Sequence, residues 1–198
     1  MEKLSKEFYL QNNVVSVAKQ LLGKIITVNN KKQSQQFRIV ETEAYRGYDD
    51  KACHASNGMT NRNKVMFKNG GICYVYLCYG IHHLFNVVTN TEGNADAVLI
   101  RAVEPLVIET VNTNGPGKWT KEAGITTELN GADLLKKEIF ISEEDKSNFR
   151  PVVASKRIGV EYAGEHALRL WRFYFGDSDF VSKKFKQDKI LINSSTID

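Results

Sequence analysis

The sequence predicts an α+β fold, a mixed antiparallel sheet carrying helices around it. Three observations point there. Strand-like runs follow one another at hairpin spacing, punctuated by Asn29–Lys32, Gly80 and Glu92-Gly93-Asn94. Helical periodicity is confined to short segments, and strands do not alternate with long helices as a doubly wound sheet requires. The chain has 198 residues and 42% hydrophobic content, which suits one domain over 1–198 with an ordinary core.

Each element has a local justification. Asn12 or Asn13 can cap a helix from about Val14 to Leu22. Val14, Val17, Ala18, Leu21 and Leu22 form its apolar stripe, and Gly23 suits the left-handed residue after its end. Residues 24–28 read as a strand, 29–32 as a turn, and Phe37–Tyr45 as the antiparallel partner. Residues 46–71 are polar and glycine-bearing, so they predict a long loop with one helical turn near Asn63–Phe67; such loops usually carry function or are disordered. Cys73–Tyr79, His83–Thr89 and Ala97–Val103 predict three further strands. A short helix is expected after Glu104-Pro105, to about Val111. A second is expected from Gly115 through Glu122 or Ala123. Asn130-Gly131 predicts a turn and Ile139-Phe140-Ile141 a short strand. Val153–Ile158 and Leu168–Phe175 read as closing segments. The basic stretch 183–198, with Lys183, Lys184, Lys186 and Lys189, predicts a solvated and flexible tail.

Composition narrows the class. A net charge of +4 is compatible with a polyanionic partner without demanding one. The three cysteines, Cys53, Cys73 and Cys78, are odd in number and lack C-x-x-C spacing. Neither a disulfide framework nor a four-ligand zinc site is expected, and reduced thiols in a cytoplasmic protein are. The N-terminal residues lack an apolar core of the signal-peptide kind, and no run has membrane-spanning length.

The most informative run is Val40–His54, V-E-T-E-A-Y-R-G-Y-D-D-K-A-C-H. Glu41 and Glu43 stand two apart on a strand, so their side chains share a face, with Tyr45 following on it. A carboxylate at a strand end beside a long loop is well placed to act as a general base. The competing reading is an ordinary exposed edge-strand face, which local sequence alone does not displace. Tyr74 and Tyr76 share another strand face, and packing explains at least one of them. Tyr79 precedes Gly80 at a hairpin tip, where an aromatic projects and can wedge between stacked bases. His54, His82 and His83 lack metal-site spacing, and nothing orients Cys53 and His54 as a nucleophile pair. Gly115-Pro116-Gly117-Lys118 is not a P-loop, although amides at a helix start can hold a single phosphate. Arg101, within the apolar V-L-I-R-A-V-E-P, must find a carboxylate or a phosphate; Glu43 is the obvious candidate.

Six blocks in order resemble the alkyladenine (3-methyladenine) DNA glycosylase family: R-I-V-E-T-E-A-Y, N-R-N-K-V-M-F, Y-V-Y-L-C-Y-G, V-L-I-R-A-V-E-P, G-P-G-K and R-I-G-V-x-x-A-G-E. They lie between about Arg38 and Phe175. The resemblance implies a single mixed α/β domain around a curved antiparallel sheet with flanking helices, similar to a formyltransferase C-terminal domain. It implies that Glu43 activates the attacking water and that Arg101 helps hold that water and the sugar-phosphate. Tyr45, His54 and Tyr76 would enclose an extruded base, and Asn86 would form the pocket floor and crowd guanine. Ile158 falls where a backbone carbonyl positions the water. Tyr79 would fill the gap left in the duplex, with Ile81 and His82 beside it and Lys118 near the DNA backbone. His82 stands where some relatives carry a larger aromatic, and Ile81 where a methionine occurs, so grip on flanking bases is expected to differ.

The implied activity is monofunctional excision of alkylated, and by extension deaminated or etheno, purines from double-stranded DNA. No metal or cofactor is expected, and a monomer suits such an enzyme. The chemistry is coherent: extrusion of a damaged base costs a few kcal/mol, and stacking on aromatic faces returns about 1–3 kcal/mol per base. Two other readings stand beside it: a noncatalytic binder of distorted nucleic acid, and a small-molecule transferase on a similar fold.

Overall fold

The computed structural model describes residues 2–30, 33–107, 111–144 and 150–191. In chain order the elements are α1 (Lys6–Tyr9), α2 (Val14–Gln20), β1 (Ile25–Asn29), β2 (Ser34–Tyr45), β3 (Cys73–Cys78), β4 (His82–Thr89), β5 (Asp96–Pro105), α3 (Pro116–Glu122), β6 (Ile139–Ser142), β7 (Val152–Ser155), β8 (Arg172–Phe175) and β9 (Lys189–Leu191). Short 3₁₀ segments lie at Lys64–Phe67, Thr127–Leu129 and Glu161–Leu168. The expected mixed fold is present in its coarse form: an open antiparallel sheet with few, short helices.

The strands run in the order β3-β4-β5-β2-β8-β7-β9, and β1 links β2 to β6. The long β2 is the spine. One edge pairs with β5; the other is shared, its first half by β1 and residues 41–43 by β8. This sharing puts both glutamates of β2 deep inside the sheet rather than on a solvated edge.

The two sheet faces have different work. Cys73, Val87, Val98 and Ala44 lie in register across four neighbouring strands and face the main hydrophobic core. There they meet Val17, Ala18 and Leu21 of the α2 region and the buried Trp119 of α3. A seven-residue helix is too short to hold itself, so α2 owes its stability to that apolar stripe. Asn13 caps it, its Oδ1 accepting from the Val15 and Ser16 amides at 3.1 Å each. Gly23 follows with φ +84°. The opposite face carries Tyr74, Asn86, Leu99 and Glu43 in the adjoining row. It is covered by loop 46–71, which contributes a small cluster of Cys53, Ala55, Val65 and Met66.

Two expectations are corrected. The basic C-terminal stretch is not a free tail over its described part. Lys189–Leu191 forms β9 against β7, and residues 182–188 are tied inward by polar bonds described below. A run of lysines hides this, because the side chains stay exposed while the backbone pairs. Residues 192–198 lie outside the described residues. The helix expected after Pro105 is not formed at Leu106, Val107 or Val111, which are bends. Leu106 instead continues the sheet ladder, its amide donating to the Gln36 carbonyl at 3.1 Å. Residues 108–110 of that expectation lie outside the described residues.

Candidate active site

Glu41 and Glu43 are both fully buried, which removes the exposed-edge reading. Their alignment on one face is what a strand imposes, and Arg101 meets both. It donates from Nε to Glu41 at 3.2 Å and places NH1 3.3 Å from Glu43 Oε1. The sheet makes this reach possible. Thr42 pairs with Ile100 and Glu41 with Ala102, so Arg101 is the extra residue of a β-bulge. Bulges re-aim side chains in this way. Burial opposes the Arg101 charge, but the carboxylates of Glu43 and Glu41 outweigh it and hold the guanidinium more firmly protonated than usual.

Glu43 has two further partners. Its Oε1 accepts from the Ile158 amide at 2.8 Å, and its Oε2 from the Tyr45 hydroxyl at 2.6 Å. Burial, then the Glu43 charge, push the Tyr45 phenol well above its ordinary value, so it stays a proton donor to the carboxylate. An ionised carboxylate has about four acceptor positions. With three taken, one remains for a water. Ile158 thus meets the carboxylate through its N–H.

The aromatic residues gather on the same face. His54 and Tyr76 have ring centroids 4.6 Å apart, and Tyr74 and Tyr76 5.3 Å. The His54 Nδ1 lies 3.1 Å from the Tyr74 hydroxyl. Burial, with Arg62 nearby, lowers the His54 pKa, favouring neutral imidazole at neutral pH. Tyr74 is the packed tyrosine of the pair, buried and with its phenol pushed up to about 12 by desolvation. Asn86 is buried, and its Nδ2 donates to the Tyr74 carbonyl at 3.1 Å. In register, Asn86 is separated from Glu43 by Leu99 alone. Two strand spacings make about 10 Å, so the amide and the carboxylate stand on one face with the buried Leu99 between them.

The hairpin between β3 and β4 carries the projecting group. Tyr79 has φ +50° and is 92% exposed, with Gly80 at φ +74° behind it. A non-glycine residue in the left-handed region is strained, and such strain concentrates at working sites. Ile81 is also exposed, at 71%. His82 is exposed but lies close against α3. A Cβ on Gly117 would lie 2.8 Å from its ring, so glycine there admits the hairpin against α3. That close approach is a packing reason for the second glycine of Gly115-Pro116-Gly117-Lys118. Lys118 is exposed, its Nζ donating to Asn114 Oδ1 at 2.7 Å.

Three groups escaped the sequence reading. Arg157 lies immediately before Ile158. It donates to the Ala44 carbonyl at 2.9 Å and to the His166 carbonyl at 3.0 Å, and pairs through both terminal nitrogens with the buried Asp50. Its guanidinium carbon lies 4.8 Å from the Tyr45 ring centre. Burial opposes its charge, and the Asp50 carboxylate overcomes that. Arg62 stands 5.2 Å from the Tyr76 ring centre. Arg172 pairs with Glu41 at 2.7 Å. Arg157 opens the quoted R-I-G block and Asp50 lies in the 40–54 run, so both were visible as letters. Only the fold pairs residues 107 positions apart.

Cys53 is buried and its thiol is pushed up to about 12, which fits packing rather than nucleophilic use. Among the described residues no group of three or more His, Cys, Asp or Glu is arranged to hold a metal, and no helix is long and apolar enough to cross a membrane.

Residues 7–179 match the methylpurine-DNA glycosylase family. The chain belongs to that family. It is therefore a DNA glycosylase, an enzyme of DNA repair. Relatives named "Putative 3-methyladenine DNA glycosylase" cover nearly all of it. One from Natranaerobius thermophilus is 43% identical over 196 residues, 91% of this chain and 98% of the relative. One from Legionella pneumophila (strain Corby) is 44% identical, covering 92% of this chain and all of the relative. One from Methanocella arvoryzae is 45% identical, covering 95% of this chain and all of the relative. In this methylpurine-DNA glycosylase family member, all six sequence blocks fall inside the matched span, and so do the two glutamates, Arg101 and the aromatic group.

Proposed function

We propose that this glycosylase releases alkylated purines, 3-methyladenine first among them, from double-stranded DNA by attack of water at C1′, without strand cleavage and without a cofactor. One observation carries the reading. The Glu43 carboxylate is held by Arg101, the Tyr45 hydroxyl and the Ile158 amide, with one acceptor position left over. In this reading Glu43 takes a proton from water and stabilises positive charge developing on the sugar, a dual role known from glycoside chemistry. Arg101 fixes the carboxylate and neutralises its neighbour.

Tyr45, His54 and Tyr76 enclose the extruded base. A cationic alkylpurine over electron-rich phenol faces gains beyond ordinary stacking. Asn86 closes the far end, crowding an exocyclic amine. Tyr79 fills the vacated position in the duplex, supported by Ile81 and His82, and Lys118 neutralises backbone phosphate. The protein works as a monomer of one domain.

The test is a panel of duplex oligonucleotides, each with one lesion, scored for abasic sites: 3-methyladenine, 7-methylguanine, hypoxanthine and ethenoadenine. Release of 3-methyladenine with affinity that falls as salt rises is expected. Tight lesion binding without any abasic site would instead make it a noncatalytic binder.

A further inference from the structure

The function proposed above leaves Glu41 without a task, yet it is as buried as Glu43. A buried carboxylate is tolerated only when its oxygens are satisfied. Here they are. Oε1 accepts from Arg101 Nε at 3.2 Å, Arg172 NH1 at 2.7 Å and Ser182 Oγ at 2.8 Å. Oε2 accepts from the Ser182 amide at 2.7 Å. Arg101 is thereby gripped at Nε, which turns NH1 toward Glu43.

The grip continues outward. Arg172 donates from NH1 to the Lys183 carbonyl at 2.8 Å and from Nε to the Lys156 carbonyl at 3.0 Å. Its NH2 reaches Ser155 Oγ at 2.9 Å and Asp188 at 3.4 Å. Asp188 also accepts from the Tyr174 hydroxyl at 2.6 Å and the Phe185 amide at 2.9 Å. Ser182, Lys183 and Asp188 all lie beyond residue 179, where the family match ends.

We propose that Glu41 is the positioning residue for Arg101, and through it for Glu43, and that segment 182–188 is a working part of the catalytic centre because it holds Glu41. This rests on the function proposed above.

The experiment is single-turnover release of 3-methyladenine from duplex DNA with saturating full-length enzyme. Affinity is measured in parallel on a duplex carrying an uncleavable abasic-site analogue. Glu41→Gln removes the charge while keeping the shape, and release is expected to slow at least 30-fold with affinity within threefold. Ser182→Ala is expected to slow release three- to tenfold, and Ser182→Thr, which keeps both donors, to restore it. Arg101→Gln combined with Glu41→Gln is expected to be no slower than Arg101→Gln alone, because Glu41 acts through Arg101.

A double variant slower than Arg101→Gln by the full Glu41→Gln factor would assign Glu41 a purely structural role and overturn the proposal. So would a Glu41→Gln rate within threefold of wild type. If Glu41→Gln fails to fold, Ser182→Ala, which strands no charge, decides alone: an unchanged rate overturns the proposal. A wild-type enzyme that releases no base from any lesion duplex fails the function proposed above. An active wild type indifferent to Glu41 fails this inference only.

Discussion

Replacing Arg157 by methionine is a sharp test of how the site is held. The side chains of Arg157 and Asp50 are both fully buried. The guanidinium also satisfies the Ala44 and His166 carbonyls, at 2.9 and 3.0 Å. Methionine fills much of the volume but leaves Asp50 as a buried charge, with the Ala52 amide at 3.2 Å as its nearest remaining donor. Removing one partner of such a pair costs about 3–5 kcal/mol, mostly for the stranded charge. In a chain of this size each kcal/mol lowers the midpoint by roughly 2–4 °C, so a loss of about 6–20 °C is expected. Asp50→Asn in the same background removes the stranded charge and is expected to recover about half. Thermal and urea unfolding followed by tryptophan fluorescence are the assays, since Trp171 lies 5.2 Å from the guanidinium. Ile158 follows Arg157 directly, so base release is expected to slow as well. An Arg157→Met protein within about 1 kcal/mol of wild type, or an Asp50→Asn addition that lowers stability further, would refute the reasoning.

Tyr79→Gly is expected to leave stability unchanged or raise it by about 1 kcal/mol, since it relieves a left-handed non-glycine residue and buries nothing. The same variant is expected to bind lesion duplex at least tenfold more weakly; unchanged affinity in a duplex titration would remove the wedge. Asp96 carries a pH signature. Burial raises its carboxyl to about 6, so between about pH 4 and 6 the folded protein binds a proton that the unfolded chain has lost. Stability therefore falls as pH rises through that window, by an amount on the order of 2–3 kcal/mol that is complete near pH 7. Asp96→Asn is expected to melt higher than wild type at about pH 8, with the gap closing toward pH 4. A gap independent of pH in thermal unfolding would contradict the cause assigned here.

The strands and hairpins were legible because their signals are local: alternating apolar residues, a capping asparagine at 13, a glycine at 80. Arg101 is legible because a charge on an apolar strand demands a partner; Glu43 and Tyr45 are legible as one strand face, and their roles only through the resemblance of the six blocks. What sequence hid was pairing at long range. The bulge that frees Arg101 is a register fact between β2 and β5 with no letter of its own. Arg157 and Asp50 look like ordinary surface charges until loop 46–71 folds over the sheet. The C-terminal lysines suggested a tail, while the groups that tie it down, Ser182, Asp188 and backbone amides, carry no compositional signature.

Glu43→Gln tests the centre of the mechanism most directly. The amide keeps the size and can keep the Ile158 contact, but it cannot accept a proton from water. Single-turnover release of 3-methyladenine is expected to drop by at least 10³-fold, roughly 4 kcal/mol of barrier, while affinity for lesion duplex stays within a fewfold of wild type. A Glu43→Gln enzyme that releases the base at the wild-type rate would contradict it.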